Sequence, residues 1–148
     1  MTRRPRIGYG ILLLINVFIF GQNEPDPRNA WVGSWVGKGK FYNMNFQAEV
    51  GSVAFEIEIA TDYTVKGNVG NAVFENATLK IDTRNKGFSI NGSVQGTIFP
   101  GKDFHKECLI LLLKAPENNH ATGSFHLKSN CFFDLWMRPG EISLRRIP

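Results

Sequence analysis

The feature that most constrains this chain is the period of its apolar residues, which is two and never close to the helical value. Phe88, Ile90, Val94 and Ile98 alternate with Ser89, Asn91, Ser93, Gln95 and Thr97. Val53, Phe55, Ile57 and Ile59 do so with Ala54, Glu56 and Glu58, as do Tyr63, Val65 and Val69 with Thr64, Lys66 and Asn68. Phe125 and Leu127 repeat the pattern among Ser124, His126 and Lys128. Such alternation marks strands with one buried and one wet face. Further strands are expected over Val32–Tyr42, Ala72–Asp82, Glu107–Lys114, Phe132–Met137 and Ile142–Ile147.

Turn chemistry breaks these runs at Thr61-Asp62, Gly70-Asn71, Thr83–Gly87, Pro100–Asp103, Pro116–His120, Ser129-Asn130 and Pro139-Gly140. Most breaks are short enough to join antiparallel neighbours, and no stretch offers the crossover helix that parallel strands need. The expected fold is all-β: an antiparallel up-and-down β-barrel of about eight to ten strands, with a β-sandwich as the alternative. Glycine placement favours the barrel. Gly37, Gly39, Gly67, Gly92 and Gly96 share parity with apolar positions, where a missing side chain lets strands coil tightly or leaves room inside.

Residues 1–21 have the form of a secretory leader: Arg3, Arg4 and Arg6, then the apolar run Ile7–Phe20, then Ile19 and Gly21 at positions suited to cleavage before Gln22. The apolar run is shorter than the ~20 residues a spanning helix requires. Residues 22–30 read as an extended lead-in and 31–148 as one barrel domain. The expected location is secreted or periplasmic. The net charge of +4 is mostly a leader property, because removing those three arginines leaves 14 basic residues against 13 acidic. Nothing in that balance points to nucleic acid. Cys108 and Cys131 would share an oxidising compartment, where a disulfide is permitted. If they begin strands two apart they are about 9.6 Å from one another, beyond the ~7 Å that a bridge tolerates. A turn over Lys128–Cys131 would shorten the gap, and both states stay open. Asn76-Ala77-Thr78 and Asn91-Gly92-Ser93 satisfy the N-glycosylation triplet, which matters only in a eukaryotic secretory pathway.

The first strand carries Asn29-Ala30-Trp31-Val32-Gly33-Ser34-Trp35, a Gly-x-Trp after an asparagine. This resembles the opening of lipocalins and of the wider calycin group, which includes avidins and fatty-acid-binding proteins. The resemblance implies an up-and-down barrel with a ligand cavity, in which Trp35 closes one end beneath an arginine from the last strand, Arg145 or its neighbour Arg146. The chain departs from typical lipocalins in lacking a C-terminal helical pattern, and from fatty-acid-binding proteins in lacking a helical pair after the first strand.

Catalytic groups form no constellation. His105, His120 and His126 lack metal-ligand spacing, and Glu56 and Glu58 sit on a solvated face. No enzyme activity, metal or cofactor is therefore expected. The expected interior is Phe41, Phe55, Ile57, Ile59, Tyr63, Val65, Phe88, Ile90, Val94, Phe125 and Leu127, without a charge. A ligand held there would be small, neutral and apolar, with Phe55, Ile57, Tyr63, Phe88, Ile90 and Phe125 as its wall. The competing expectation is a filled core, since eight strands enclose room for side chains or one small ligand. Cys108–Leu113 is apolar on both faces, so Ile110 and Leu112, or else Leu111 and Leu113, must be covered from outside; with Trp136 nearby, Ile110 and Leu112 are the expected subunit or partner interface, or a wall covered by the chain itself. The leading functional expectation is a lipocalin-like binding protein for an apolar ligand. The alternative is a filled barrel that acts through its outer surface as an inhibitor, interaction or assembly subunit.

Overall fold

A computed structural model of the chain describes residues 24–42, 48–98, 108–128 and 137–148. Eight strands follow one another: β1 (Gly33–Tyr42), β2 (Glu49–Ile59), β3 (Thr64–Val69), β4 (Ala72–Asp82), β5 (Gly87–Gln95), β6 (Cys108–Leu113), β7 (His120–Lys128) and β8 (Met137–Ile147). Each pairs antiparallel with the next, and β8 closes onto β1, giving an up-and-down barrel in sequence order. Closure leaves no edge strand, which is how a one-sided sheet buries its apolar face without a second layer.

Inward positions follow the alternation. Trp35, Phe55, Ile57, Ile90, Leu111 and Phe125 are among the buried residues, and among the described residues no polar or charged residue is buried. A 3-10 turn, Pro27–Trp31, lies across one end of the barrel. Asp26 caps that turn by accepting from the Arg28 backbone N–H at 2.9 Å.

Several boundaries differ from the sequence expectation, each for a local reason. Pro139-Gly140 is not a turn but part of β8. Pairing of β8 with β1 stops at Phe41–Gly140, so Pro139 needs no donor on that side, while its other side faces His126 of β7. Residues 131–136 of the expected strand Phe132–Met137 lie outside the described residues, and Met137 begins β8. β5 ends at Gln95 because Gly96 turns to φ +104°, yet Ile98 is still buried. Asn76, at φ +56°, sits in a register shift of β4 between Glu75 and Thr78, where an asparagine tolerates the left-handed conformation a bulge demands.

Candidate functional site

Three regions are available for function: the interior, the capped end and the outer wall.

The interior holds Phe55, Ile57, Phe88, Ile90 and Phe125, all buried. Phe125 stands edge-on to Phe41 at 4.9 Å and to Phe55 at 5.2 Å between ring centroids. These rings occupy the room that glycines open. A Cβ on Gly39 would lie 2.5 Å from Cε1 of Phe125 and 2.6 Å from Cε2 of Phe55. One on Gly140 would run into Phe125, and one on Gly92 into Phe74. Gly39, Gly92 and Gly140 thus mark places where aromatic side chains cross the barrel, whereas a Cβ on Gly37 or Gly67 would run into the backbone carbonyl of Ser143 or Glu56, so these two let neighbouring strands coil closely.

Tyr63 sits at the rim rather than among the fully buried side chains: it is half-buried and packs against the core from outside β3. It sits in the β2–β3 turn at φ +68°, and its hydroxyl donates to Asn29 Oδ1 at 2.7 Å. The Arg28 guanidinium stacks on its ring at 4.0 Å. The period-two pattern of Val65 and Val69 reaches back to Tyr63 only because this turn residue immediately precedes Thr64, the first residue of β3.

At the capped end, Trp31 is fully buried and rests on Trp35 at 5.0 Å and on Phe88 at 5.6 Å. Trp35 Nε1 donates to the Trp31 carbonyl at 2.7 Å. The covering arginine is Arg146, whose guanidinium lies 4.8 Å from the Trp35 ring and donates to the Ala30 carbonyl. Arg145 is exposed on the outer face, opposite Val36 and His120. Alternation decides between the two arginines: Leu144 is inward, so Arg145 must point outward. Two groups remain unsatisfied here, because Trp31 Nε1 and Arg146 Nε are buried without a hydrogen-bond partner. Trp31 was read only as part of the Asn29–Trp35 motif on the first strand; its place in the core was missed because it ends the 3-10 turn that precedes β1. Asp26, held by Arg28 through a side-chain contact of 2.6 Å, has its carboxyl lowered to about 2, chiefly by the hydrogen bonds that Arg28 donates.

On the outer wall, Ile110 and Leu112 are half-buried on β6. Their neighbours across the sheet are Asn91 and His126 for Ile110, and Ser89 and Ser124 for Leu112. Burial among apolar neighbours, with Lys128 adding repulsion, holds the His126 imidazole below its usual range. Trp136 lies outside the described residues. Cys108 is disulfide-bonded, and Cys131, the only other cysteine of the chain, also lies outside them. Cys108 pairs in register with Lys128, three positions before Cys131. The separation of strands two apart therefore does not apply to Cys108, whose neighbour is the end of β7.

Two grooves cross the outer wall on different sides. One, of about 590 Å³, is lined by Val36, Glu56, Glu58, Lys66, Val73 and Glu75, among others. The other, of about 670 Å³, crosses β1, β8, β7 and β6 and includes Lys38, Lys40, Lys114, Thr122, Ser124 and Ser143. Among the described residues no cluster of three or more His, Cys, Asp or Glu side chains could hold a metal.

These observations define the class: a closed, eight-stranded, all-antiparallel up-and-down β-barrel, compatible with a lipocalin-like fold. No known family, curated protein or solved structure matches this chain.

Proposed function

We propose that this chain is an exported binding protein that acts through the outer wall of a filled barrel, as an interaction or assembly subunit. The observation that carries this reading is the occupied interior. Phe125, Phe55 and Phe74 fill the volume over Gly39, Gly140 and Gly92, so a guest would have to displace packed rings at close to crystal density. What the core does not offer, the wall does: grooves, and the half-buried pair Ile110 and Leu112. Export is supported by the leader-like residues 1–21 and by the disulfide at Cys108, a bond that persists in oxidising compartments.

The second reading, a carrier for a small apolar ligand inside the barrel, is favoured by the buried Trp31 Nε1 that lacks an acceptor. An oxygen of a guest lodged at the capped end would satisfy it. Mass spectrometry of the exported protein under native and then denaturing conditions separates the two. A clean mass beginning at Gln22, together with a change of oligomer number in Ile110→Asp or Leu112→Asp, supports the outer-wall reading. Excess mass released on denaturation overturns it in favour of the carrier.

A further inference from the structure

The two outer grooves differ in how their charges are used. In the first, each carboxylate has a local partner: Glu58 meets Lys66 at 3.2 Å, Glu56 accepts from Asn68 at 3.4 Å, and Glu75 accepts from Gln95 at 3.2 Å. In the second, the register builds a single row across four strands. Lys38 stands opposite Ser143, Ser143 opposite Thr122, and Thr122 accepts from the backbone N–H of Lys114 at 2.9 Å. A lysine thus stands at each end of the row and two hydroxyls lie between them. Three strand spacings separate the lysines, about 14 Å at the backbone.

The row beside it is self-contained. Lys40 lies 3.6 Å from Glu49, and Glu141 accepts from the Tyr42 hydroxyl at 3.0 Å. Lys38 and Lys114 have no carboxylate partner among the described residues, and both are exposed. Arg145, exposed one row nearer the capped end, adds positive charge to the same face. A floor of hydroxyl donors flanked by uncompensated ammonium groups suits anionic oxygens spaced along a chain.

Resting on the outer-wall reading, we infer that the groove formed by Lys38, Ser143, Thr122 and Lys114 binds a linear ligand carrying two or more tetrahedral oxyanion groups, sulfate or phosphate. The two flexible lysines each take one oxyanion, and the hydroxyls of Ser143 and Thr122 donate to the segment between them. Glu141 and Glu49 hold Lys40 and Tyr42 out of the contact, which leaves the anion a defined line rather than a diffuse basic surface.

The test is calorimetric titration of the full exported chain with sodium tripolyphosphate and, separately, with a sulfated tetrasaccharide of defined length. One-to-one binding of at least one probe is expected, and the two arms tell a phosphate source from a sulfated-sugar source. The double variant Lys38→Gln with Lys114→Gln should weaken that binding about tenfold or more. Lys66→Gln with Lys80→Gln, which removes the same charge from β3 and β4, should change it by less than about twofold. Silence of both probes at millimolar concentration overturns the proposal, and so does an equal loss in the Lys66 and Lys80 pair. If the probes are silent while the native mass stays clean and Ile110→Asp still alters assembly, the anion chemistry fails and the outer-wall reading survives.

Discussion

The capped end of the barrel and the aromatic cluster deeper inside it are packed by different means. At the capped end, two tryptophans stack and are pinned by polar contacts: Trp35 Nε1 to the Trp31 carbonyl, and Arg146 to both the Trp35 ring and the Ala30 carbonyl. Deeper in, Phe41, Phe55 and Phe125 meet edge to face over Gly39 and Gly140, with ring contacts alone. The first end is closed by a chain segment that precedes the barrel and must be held down. Among the described residues, the second region is packed by side chains of the strands themselves. Hydrogen bonds supply direction where a segment outside the strand ladders has to dock, while shape fit suffices where the backbone is already fixed by two ladders.

The largest effect is expected where packing is purely steric. Phe125→Ala removes the ring shared by both aromatic contacts and should cost about 3–5 kcal/mol in thermal or denaturant unfolding. A loss under about 1 kcal/mol would mean that the ring does not fill the barrel, and would reopen the interior as a cavity. Gly39→Leu comes next. Its side chain would meet Phe125 and Phe55, and overpacking should cost about 1–3 kcal/mol. A variant that keeps its stability but loses a native adduct mass would instead favour the carrier.

At the capped end the two arginines are directly comparable. Arg146→Met should cost about 1–2 kcal/mol through the lost stacking and charged hydrogen bond. Arg145→Met, on the outer face, should stay within about 0.5 kcal/mol. Equal effects would show that the cap is not fastened through Arg146. Trp31→Phe is expected to cost less than its lost volume suggests, because it also deletes a buried N–H that has no acceptor, an omission worth about 1–3 kcal/mol.

Much of the barrel was legible because each strand has one wet face. Alternation in 53–59 and 88–94 placed Phe55, Ile57, Phe88 and Ile90 on the buried side, where they are found, and Ala72–Asp82 matches β4 at both ends. What was hidden depended on partners distant in sequence. Pro139-Gly140 has the chemistry of a turn, and only the place where β1 stops pairing makes it strand. The inner glycines could be read as letting strands coil tightly or as leaving space; Gly37 and Gly67 do the first, and the room at Gly39 and Gly92 is taken by Phe125, Phe55 and Phe74 reaching across from other strands. Tyr63 shows a limit of parity, which continues through a turn on paper although the backbone has already changed hand. The basic row on the outer wall was invisible for the same reason: Lys38, Lys114, Thr122 and Ser143 become neighbours only through register.

The smallest effect concerns the fastening of the cap by Asp26. Its carboxyl is lowered from 3.8 to about 2, first by the side-chain hydrogen bond from Arg28 and then by the Arg28 backbone N–H. A depressed acid contributes stability that is present above the unfolded value and is lost as pH falls through the folded one. The cap should therefore hold unchanged down to about pH 4 and loosen between that and about pH 2. Arg28, released from Asp26, would then also lose its fixed place over the Tyr63 ring. Tryptophan emission reports this, since Trp31 ends the turn that Asp26 caps and rests on Trp35: a red shift over that range is expected, and Asp26→Asn should show it already at neutral pH. Because Asp26 is solvent-accessible, salt should blunt the difference between wild type and variant. A shift that is the same in both proteins would place the acid sensitivity elsewhere, and would leave the Trp31–Trp35 stack, Arg146 and the Tyr63–Asn29 hydrogen bond to fasten the cap.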